Sequence, residues 1–124
     1  MWSEYSVVQK NYNALQVRVS LGHLQNELQP KGFIEMIRAC LFFSGRVQGV
    51  GFRFTTNEVA KRFAVKGTVE NCDDGRVKII VEAESNEIDR FVEAIKTSMA
   101  GKIKQVSRFE SAASFEFENF SVRQ

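Results

Sequence analysis

Beyond residue 37, apolar and polar residues follow short repeating patterns that predict strands. Cys40–Ser44 is a short apolar run of the kind found in buried strands. Apolar and polar positions largely alternate in Val65–Asn71 and in Val77–Ala83, so each predicts a strand with one buried face. Ile103–Phe109 and Phe115–Val122 supply two further predicted strands, and in the second of these phenylalanine alternates with glutamate.

Two other segments have the spacing of helices. Residues 53–64 are predicted as a helix because Val59 and Phe63 are four positions apart and therefore lie on one face. A second helix is predicted to begin at Ser85 or Asn86, since either side chain can cap the first turn. The apolar stripe of this second helix has spacings of three and four, and it consists of Ile88, Phe91, Val92, Ile95 and Met99.

The order of these elements predicts the fold class. Asp73-Asp74-Gly75 separates the second and third predicted strands and is typical of a tight hairpin turn. The resulting order is β-α-β-β-α-β followed by a terminal strand. This is the split βαβ pattern of ferredoxin-like α+β folds, in which an antiparallel sheet carries both helices on one face. Because many activities share that architecture, the fold alone does not give the function.

The first 37 residues differ in character from the rest. Alternation in Leu15–Leu21 indicates a short strand, but glycine, histidine and proline residues interrupt any longer pattern. We therefore expect residues 1–37 to form a loosely ordered N-terminal extension, with a short helix around Phe33–Ile37, followed by a single domain at 38–124. The alternative for the extension is an arm that docks a partner.

Composition limits the chemistry that this domain can perform. Of the 124 residues, 44% are hydrophobic, which is enough to build a core. Cys40 and Cys72 form no Cys-x-x-Cys motif or disulfide framework, so we expect both to be reduced and half-buried. The single histidine, His23, excludes a histidine-based zinc site and removes the commonest general acid and base. We expect no metal and no other cofactor.

Charge and hydropathy restrict the partners. The formal net charge is +2, which is too small to indicate nucleic acid but suits a small anionic ligand held by one or two local cations. No apolar run approaches the roughly 20 residues needed to cross a bilayer. The N-terminus also lacks the apolar stretch of a signal peptide. The expectation is a monomer in the cytoplasm with no membrane partner.

The most informative segment is the loop from Gly45 to Arg53, which joins a strand to a helix. Three glycines, Gly45, Gly49 and Gly51, fall within seven positions, and glycine permits left-handed backbone and close approach of a ligand. Such a loop can turn successive N–H groups toward an anion, and the N-terminus of the next helix favours the same ligand. Arg53 adds a planar guanidinium that can pair with two phosphate oxygens. The glycine spacing by itself is also compatible with an ordinary turn beside a solvated arginine.

A longer match decides between these two interpretations. Val47-Gln48-Gly49-Val50-x-Phe52-Arg53 resembles the signature of the acylphosphatase family at every fixed position. The resemblance continues through Lys66-Gly67, Val69-x-Asn71 and Asp74-Gly75-x-Val77 and covers residues 40–124.

The resemblance implies an enzyme that hydrolyses the carboxyl–phosphate bond of a small-molecule acyl phosphate to a carboxylate and inorganic phosphate. It implies direct in-line attack by water without a metal. By this resemblance, Arg53 binds the phosphoryl group and Asn71 positions the attacking water. The residues whose loop amides it assigns to phosphate binding are Gln48, Gly49, Val50, Gly51, Phe52 and Arg53.

The sequence departs from the family pattern at three places. Thr68 stands where tryptophan is common, Glu70 where arginine is common, and Ala100-Gly101-Lys102 where Gly-Pro is common. We expect none of them to touch the loop. Glu70 is the neighbour of Asn71, so we expect it to affect the affinity for an anion.

Topology provides an independent reason to pair Asn71 with the loop. The two strands of a βαβ unit run parallel, so their carboxyl ends lie at the same edge of the sheet. If the third strand inserts between them, Asn71 and the loop lie about 10 Å apart, which is two strand spacings. Taken alone, Asn71 also fits the start of an Asx-rich turn at Asn71–Asp74, but the loop match favours a catalytic role.

Two other functions are compatible with this fold. One is a non-catalytic module that holds an anion in the same loop, which the joint presence of Arg53 and Asn71 disfavours. The other is a sheet that binds RNA, which requires exposed aromatic residues on the central strands. Phe42 and Phe43 lie in an apolar run and the strand at 77–83 has no aromatic residue, so no nucleic acid partner is expected.

Overall fold

The structure, a computed structural model, describes residues 5–11 and 35–124, which form one sheet and two helices. The six strands are β1 Tyr5–Asn11, β2 Met36–Gly45, β3 Lys66–Asn71, β4 Val77–Glu84, β5 Ile103–Ala112 and β6 Phe120–Val122. The two helices are α1 Phe52–Ala60 and α2 Ser85–Ser98.

The order of the strands confirms the ferredoxin-like fold. The sheet runs β1-β5-β2-β4-β3-β6, and β5, β2, β4 and β3 pair antiparallel in the arrangement expected of a split βαβ unit. β4 lies between β2 and β3, which is the condition under which Asn71 is expected to lie two strand spacings from the loop. One pairing differs from the predicted antiparallel sheet. β6 runs parallel to β3, with Gly67 opposite Phe120 and Val69 opposite Val122, so the sheet is mixed.

The core forms where alternate strand residues meet the apolar side of the helices. On β2, Ala39, Leu41 and Phe43 are fully buried, while Phe42 between them faces the other side and is only half-buried. The predicted stripe of α2 is confirmed, since its four helical members and Met99 are all buried: Ile88, Phe91, Val92 and Ile95 at 0% exposure and Met99 at 5%.

Helix α1 is shorter than predicted. It ends at Ala60, and the chain then turns through tighter hydrogen bonds, with the amide of Phe63 donating to the carbonyl of Ala60 at 3.1 Å. The carboxylate of Glu87 on α2 accepts from the amide of Ala64 at 2.9 Å, which fixes the chain outside the helix. Phe63 still packs against Phe91, with ring centroids 6.0 Å apart.

The predicted strand at Phe115–Val122 is wrong for its first half. Phe115 has φ 61°, a left-handed conformation that a strand cannot contain. The cause is the buried carboxylate of Glu82 on β4, which accepts from the amide of Ser114 at 2.8 Å and from the amide of Phe115 at 2.9 Å. Only Phe120–Val122 joins the sheet.

The N-terminal region differs from the prediction in two respects. β1, which was not predicted, pairs antiparallel with β5. The prediction of a short helix around Phe33–Ile37 is wrong at its C-terminal end. Met36 and Ile37 begin β2 instead, and they pair with Glu84 and Ala83 of β4. The predicted strand at Leu15–Leu21 lies outside the described residues. In the described part of the chain, neither helix is long and apolar enough to span a membrane.

Candidate active site

A pocket of about 350 Å³ lies at the edge of the sheet where β2 and β3 end. Because β4 separates these two strands, the loop after β2 and the last residue of β3 approach the same space from two sides. The lining residues come from the loop, α1, β3 and the segment that begins at β6: Val47, Gly49, Gly51, Phe52, Arg53, Phe54, Asn57, Asn71, Val122 and Gln124.

The backbone of the loop is left-handed at two glycines, a feature that it shares with anion nests. Gly49 and Gly51 have φ 77° and 80°, a left-handed region that other residues rarely adopt. Gly51 is also the N-cap of α1, and it has no side chain that can accept from the first turn. The first turn of α1 therefore borders the pocket without a side-chain cap, and the uncapped amides and positive dipole end of a helix favour an anion.

Gly45 allows the loop to pass close to the turn before β5. A Cβ atom at Gly45 would lie 2.4 Å from the carbonyl oxygen of Lys102, so no larger residue fits without a shift of the backbone. The amide of Arg46 donates to that same carbonyl at 2.8 Å. The expectation that no departure from the family pattern touches the loop is therefore wrong for Lys102. The contact is made by its main chain, so it does not depend on the side chain.

The side chain of Gln48 ties the loop to the hairpin that follows β3. Its Nε2 donates to the carbonyl of Cys72 at 2.8 Å and to the carbonyl of Arg76 at 2.9 Å. Both partners are acceptors, so only the NH₂ group of the amide can face them. This link holds the loop and the residues next to Asn71 in a defined relation.

Arg53 lies in the first turn of α1, and its side chain is oriented by the segment that follows β6. Nη1 of Arg53 donates to the main-chain carbonyl of Arg123 at 3.1 Å, and the amide of Arg123 donates to the carbonyl of Val69 at 2.8 Å. A guanidinium has five N–H donors, so one fixed hydrogen bond sets its direction and leaves other donors for a ligand.

Asn71 and Glu70 are neighbours in sequence but point to opposite faces of β3. Asn71 is half-buried and lines the pocket. Glu70 lies 3.8 Å from Nζ of Lys78 and 3.4 Å from Nη1 of Arg123. These two cations balance the carboxylate, which reduces the repulsion that Glu70 would otherwise exert on an anion in the pocket.

Neither cysteine is activated as a nucleophile. Burial, followed by the negative charge of Asp74, raises the pKa of the Cys72 thiol, and burial raises the pKa of the Cys40 thiol. Both thiols therefore stay protonated near neutral pH, and the thiolate is the reactive form. Within residues 5–11 and 35–124, no group of three or more histidine, cysteine, aspartate and glutamate residues has the arrangement of a metal site.

Most of the predicted site residues share the pocket. Five of them line it: Gly49, Gly51, Phe52, Arg53 and Asn71. Gln48 is instead the anchor described above, and Val50 packs partly against the core. For both residues, the predicted contribution was the main-chain amide.

Other lining residues were not predicted. Asn57 lies one helical turn after Arg53, so a search of the same helix face would have found it. Phe54 follows Arg53 directly and belongs to an adjoining face. Val122 and Gln124 gave no sequence signal, because they reach the pocket only through the parallel pairing of β6 with β3.

The fold and the pocket define a ferredoxin-like α+β protein in which a glycine-rich loop, an arginine and the first turn of a helix surround a pocket at the end of the sheet. The family model for acylphosphatase matches residues 39–122. The acylphosphatase of Listeria monocytogenes is 41% identical over 86 residues, which is 68% of this chain and 92% of that protein. The acylphosphatase of Archaeoglobus fulgidus is 38% identical over 87 residues, 70% of this chain and 98% of that protein.

Solved structures agree with these relatives. The crystal structure of the acylphosphatase from Bacillus subtilis matches with a TM-score of 0.66 and 37% identity, and it covers 71% of this chain and 99% of that one. The chain belongs to the acylphosphatase family.

Proposed function

We propose that this acylphosphatase hydrolyses the carboxyl–phosphate bond of a small acyl phosphate by direct in-line attack of water, without a metal. The observation that carries the proposal is the meeting of Arg53 and Asn71 in one pocket with the left-handed loop at Gly49 and Gly51. A cation, a set of loop amides and a polar group for water are the parts that this reaction needs.

Arg53 and the loop hold the phosphoryl group in this mechanism. The guanidinium pairs with two phosphoryl oxygens, and the amides of the loop and of the first turn of α1 bind the remaining charge. These donors are fixed before the substrate arrives, so they stabilise the charge on the equatorial oxygens in the transition state at little reorganisation cost.

Asn71 orients the nucleophile in this mechanism. Its side-chain amide can both accept from and donate to a water molecule, and it approaches the pocket from β3 while Arg53 approaches from α1. The water attacks phosphorus and its two protons stay on the inorganic phosphate that forms, while the bond from phosphorus to the acyl oxygen breaks and its electron pair leaves with the carboxylate. A carboxylate is a weak base, so the reaction needs no general acid.

The test compares leaving groups. Purified protein is assayed with benzoyl phosphate and with a simple alkyl phosphate monoester at matched concentration, with and without EDTA. We expect hydrolysis of the acyl phosphate only and no effect of EDTA. The pH profile should lack a limb near pH 6.5, roughly where histidine titrates. Comparable rates on both substrates, or loss of activity with EDTA, would show a different phosphatase chemistry.

The same assay separates the enzyme from a non-catalytic anion-binding module. Such a module would bind inorganic phosphate, measured by calorimetry, but would not hydrolyse benzoyl phosphate. For the chain as a whole, we propose a cytoplasmic monomer in which residues 38–124 form the catalytic domain and residues 1–37 are a non-catalytic extension.

A further inference from the structure

The pocket contains an exposed apolar side chain beside the proposed phosphate site. Phe54 follows Arg53 on α1, lines the same pocket, and is 69% exposed. Two other large apolar side chains in the described part of the chain are exposed, Phe109 and Phe115, and neither of them lines the pocket. Single exposed apolar residues are common on protein surfaces, so the position of Phe54 in the pocket is the feature that needs a reason.

The surroundings of Phe54 make an apolar wall with a polar edge. Val122 of β6 lines the pocket, and Val47 and Phe52 line it as buried residues of the core. Asn57, one turn after Arg53, supplies a polar group at the edge of this wall. A pocket of about 350 Å³ also has more room than a phosphoryl group requires.

The reaction geometry places the acyl group in the remaining space. In an in-line displacement, the leaving group lies opposite the attacking water, so a water held by Asn71 directs the acyl oxygen away from β3. Phe54 is on α1, not on β3, and its ring is exposed at the pocket. An apolar acyl group that extends from the bound phosphoryl group, away from β3, can therefore cover this ring.

We propose that Phe54 is a specificity-determining residue whose ring, together with Val122, binds the acyl group and favours acyl phosphates with an aromatic or bulky apolar acyl chain. The inference rests on the proposed function and names the substrate class of that site. Contact between an acyl ring and Phe54 removes apolar surface of both from water, and aromatic pairs gain further from offset or edge-to-face packing.

The experiment measures kcat/KM for benzoyl phosphate and for acetyl phosphate in the wild type and in Phe54→Ala. We expect the ratio of the two values, benzoyl over acetyl, to fall by about fivefold to tenfold in Phe54→Ala. Phe54→Tyr keeps the ring and should keep the ratio within about twofold of the wild type. Phe115→Ala is the matched control, because it removes an equally exposed ring (73% exposed) outside the pocket and should leave the ratio unchanged.

Three outcomes would overturn the inference. The ratio could stay within twofold of the wild type in Phe54→Ala, or it could fall equally in Phe115→Ala, and either result would exclude a role for this ring in selection. A wild type that hydrolyses neither substrate would overturn both this inference and the proposed function. Circular dichroism and thermal unfolding verify that each variant is folded, which we expect because an exposed ring contributes little to stability.

Discussion

Nη1 of Arg53 donates a hydrogen bond to the main-chain carbonyl oxygen of Arg123, and these two atoms are 3.1 Å apart. These residues are separated by 70 positions in the sequence and meet because β6 lies next to β3. The acceptor belongs to the backbone, so the orientation of Arg53 depends on where the chain after β6 runs and not on which side chain occupies position 123.

Replacing Arg53 tests its proposed role directly. Arg53→Ala should lose about 3–5 kcal/mol of transition-state stabilisation, because it removes a charged donor from a preorganised site. Arg53→Lys should not restore activity, since an ammonium group lacks the planar fork. kcat/KM for benzoyl phosphate measures both effects. Arg62→Ala, at an exposed position just after α1, is the control and should behave like the wild type. A folded Arg53→Ala that keeps more than a tenth of the activity would contradict the assignment.

Asn71→Ala should separate catalysis from binding. If Asn71 orients water, kcat should fall strongly while the inhibition constant of inorganic phosphate stays nearly unchanged. Steady-state kinetics with phosphate as inhibitor give both values. Asn86→Ala, at an exposed position in the first turn of α2, serves as the control. Equal weakening of phosphate inhibition and turnover would instead identify Asn71 as a residue that binds phosphate or maintains the structure.

Gln48 should contribute through its side chain to stability. Its amide donates to two carbonyls on the hairpin after β3, so Gln48→Leu removes two hydrogen bonds and should lower the free energy of unfolding by about 1–3 kcal/mol. Gln48→Glu should be worse above the pKa of the new carboxylate, because an acceptor would then face two carbonyl oxygens. Urea unfolding at pH 7 measures the effect. Equal stability of wild type and Gln48→Glu would show that this link contributes nothing.

Protonation of Glu82 should lower the free energy of unfolding in acid. Burial by itself would raise the pKa of Glu82, but hydrogen bonds from Ser114, Arg38 and Phe115 outweigh burial and hold the pKa below its usual range. A lowered pKa means that this stabilisation is present above about pH 4.3, the usual value for glutamate, and is lost as the pH falls through the folded-state pKa.

Glu82→Gln should therefore flatten the loss of unfolding free energy between neutral and acid pH. The variant should also be less stable at pH 7, by about 1–3 kcal/mol, because an amide replaces a buried acceptor of several donors. Glu93→Gln is the control, since Glu93 is exposed and its 3.5 Å ion pair with Lys96 lies at the surface, where such pairs contribute little to stability. Parallel pH profiles for wild type and Glu82→Gln would contradict the prediction.

A variant that begins at Glu35 tests the proposed domain boundary. We expect it to fold and to hydrolyse benzoyl phosphate at close to the full-length rate, because the family match begins at residue 39. We also expect lower stability, since the loss of β1 makes β5 the edge of the sheet and leaves the side of β5 that faces away from β2 without a pairing strand. Thermal unfolding and kcat/KM are the measurements. A folded variant with a tenfold lower kcat/KM would show that residues 1–34 contribute to the site.

The sequence by itself determined the parts of this protein that depend on local patterns. Alternation with a period of two located β3 and β4, a short apolar run located β2, and the three-and-four spacing of apolar residues located the second helix, because each pattern corresponds to one backbone geometry. The glycines before Arg53 predicted the loop, since left-handed φ values such as those of Gly49 and Gly51 select glycine. The rule that the strands of a βαβ unit run parallel predicted that Asn71 lies at the same edge of the sheet as this loop.

Only the tertiary structure decided the contacts between distant segments. The end of α1 at Ala60 depends on Glu87, and the break before β6 depends on Glu82. Both carboxylates accept hydrogen bonds from backbone amides more than 20 positions away, and no local sequence pattern predicts such a pairing. For the same reason, the orientation of Arg53 by the carbonyl of Arg123 and the anchoring of Gln48 could not be read from the sequence. Main-chain acceptors are chemically alike at every residue, so packing alone selects which one a side chain reaches.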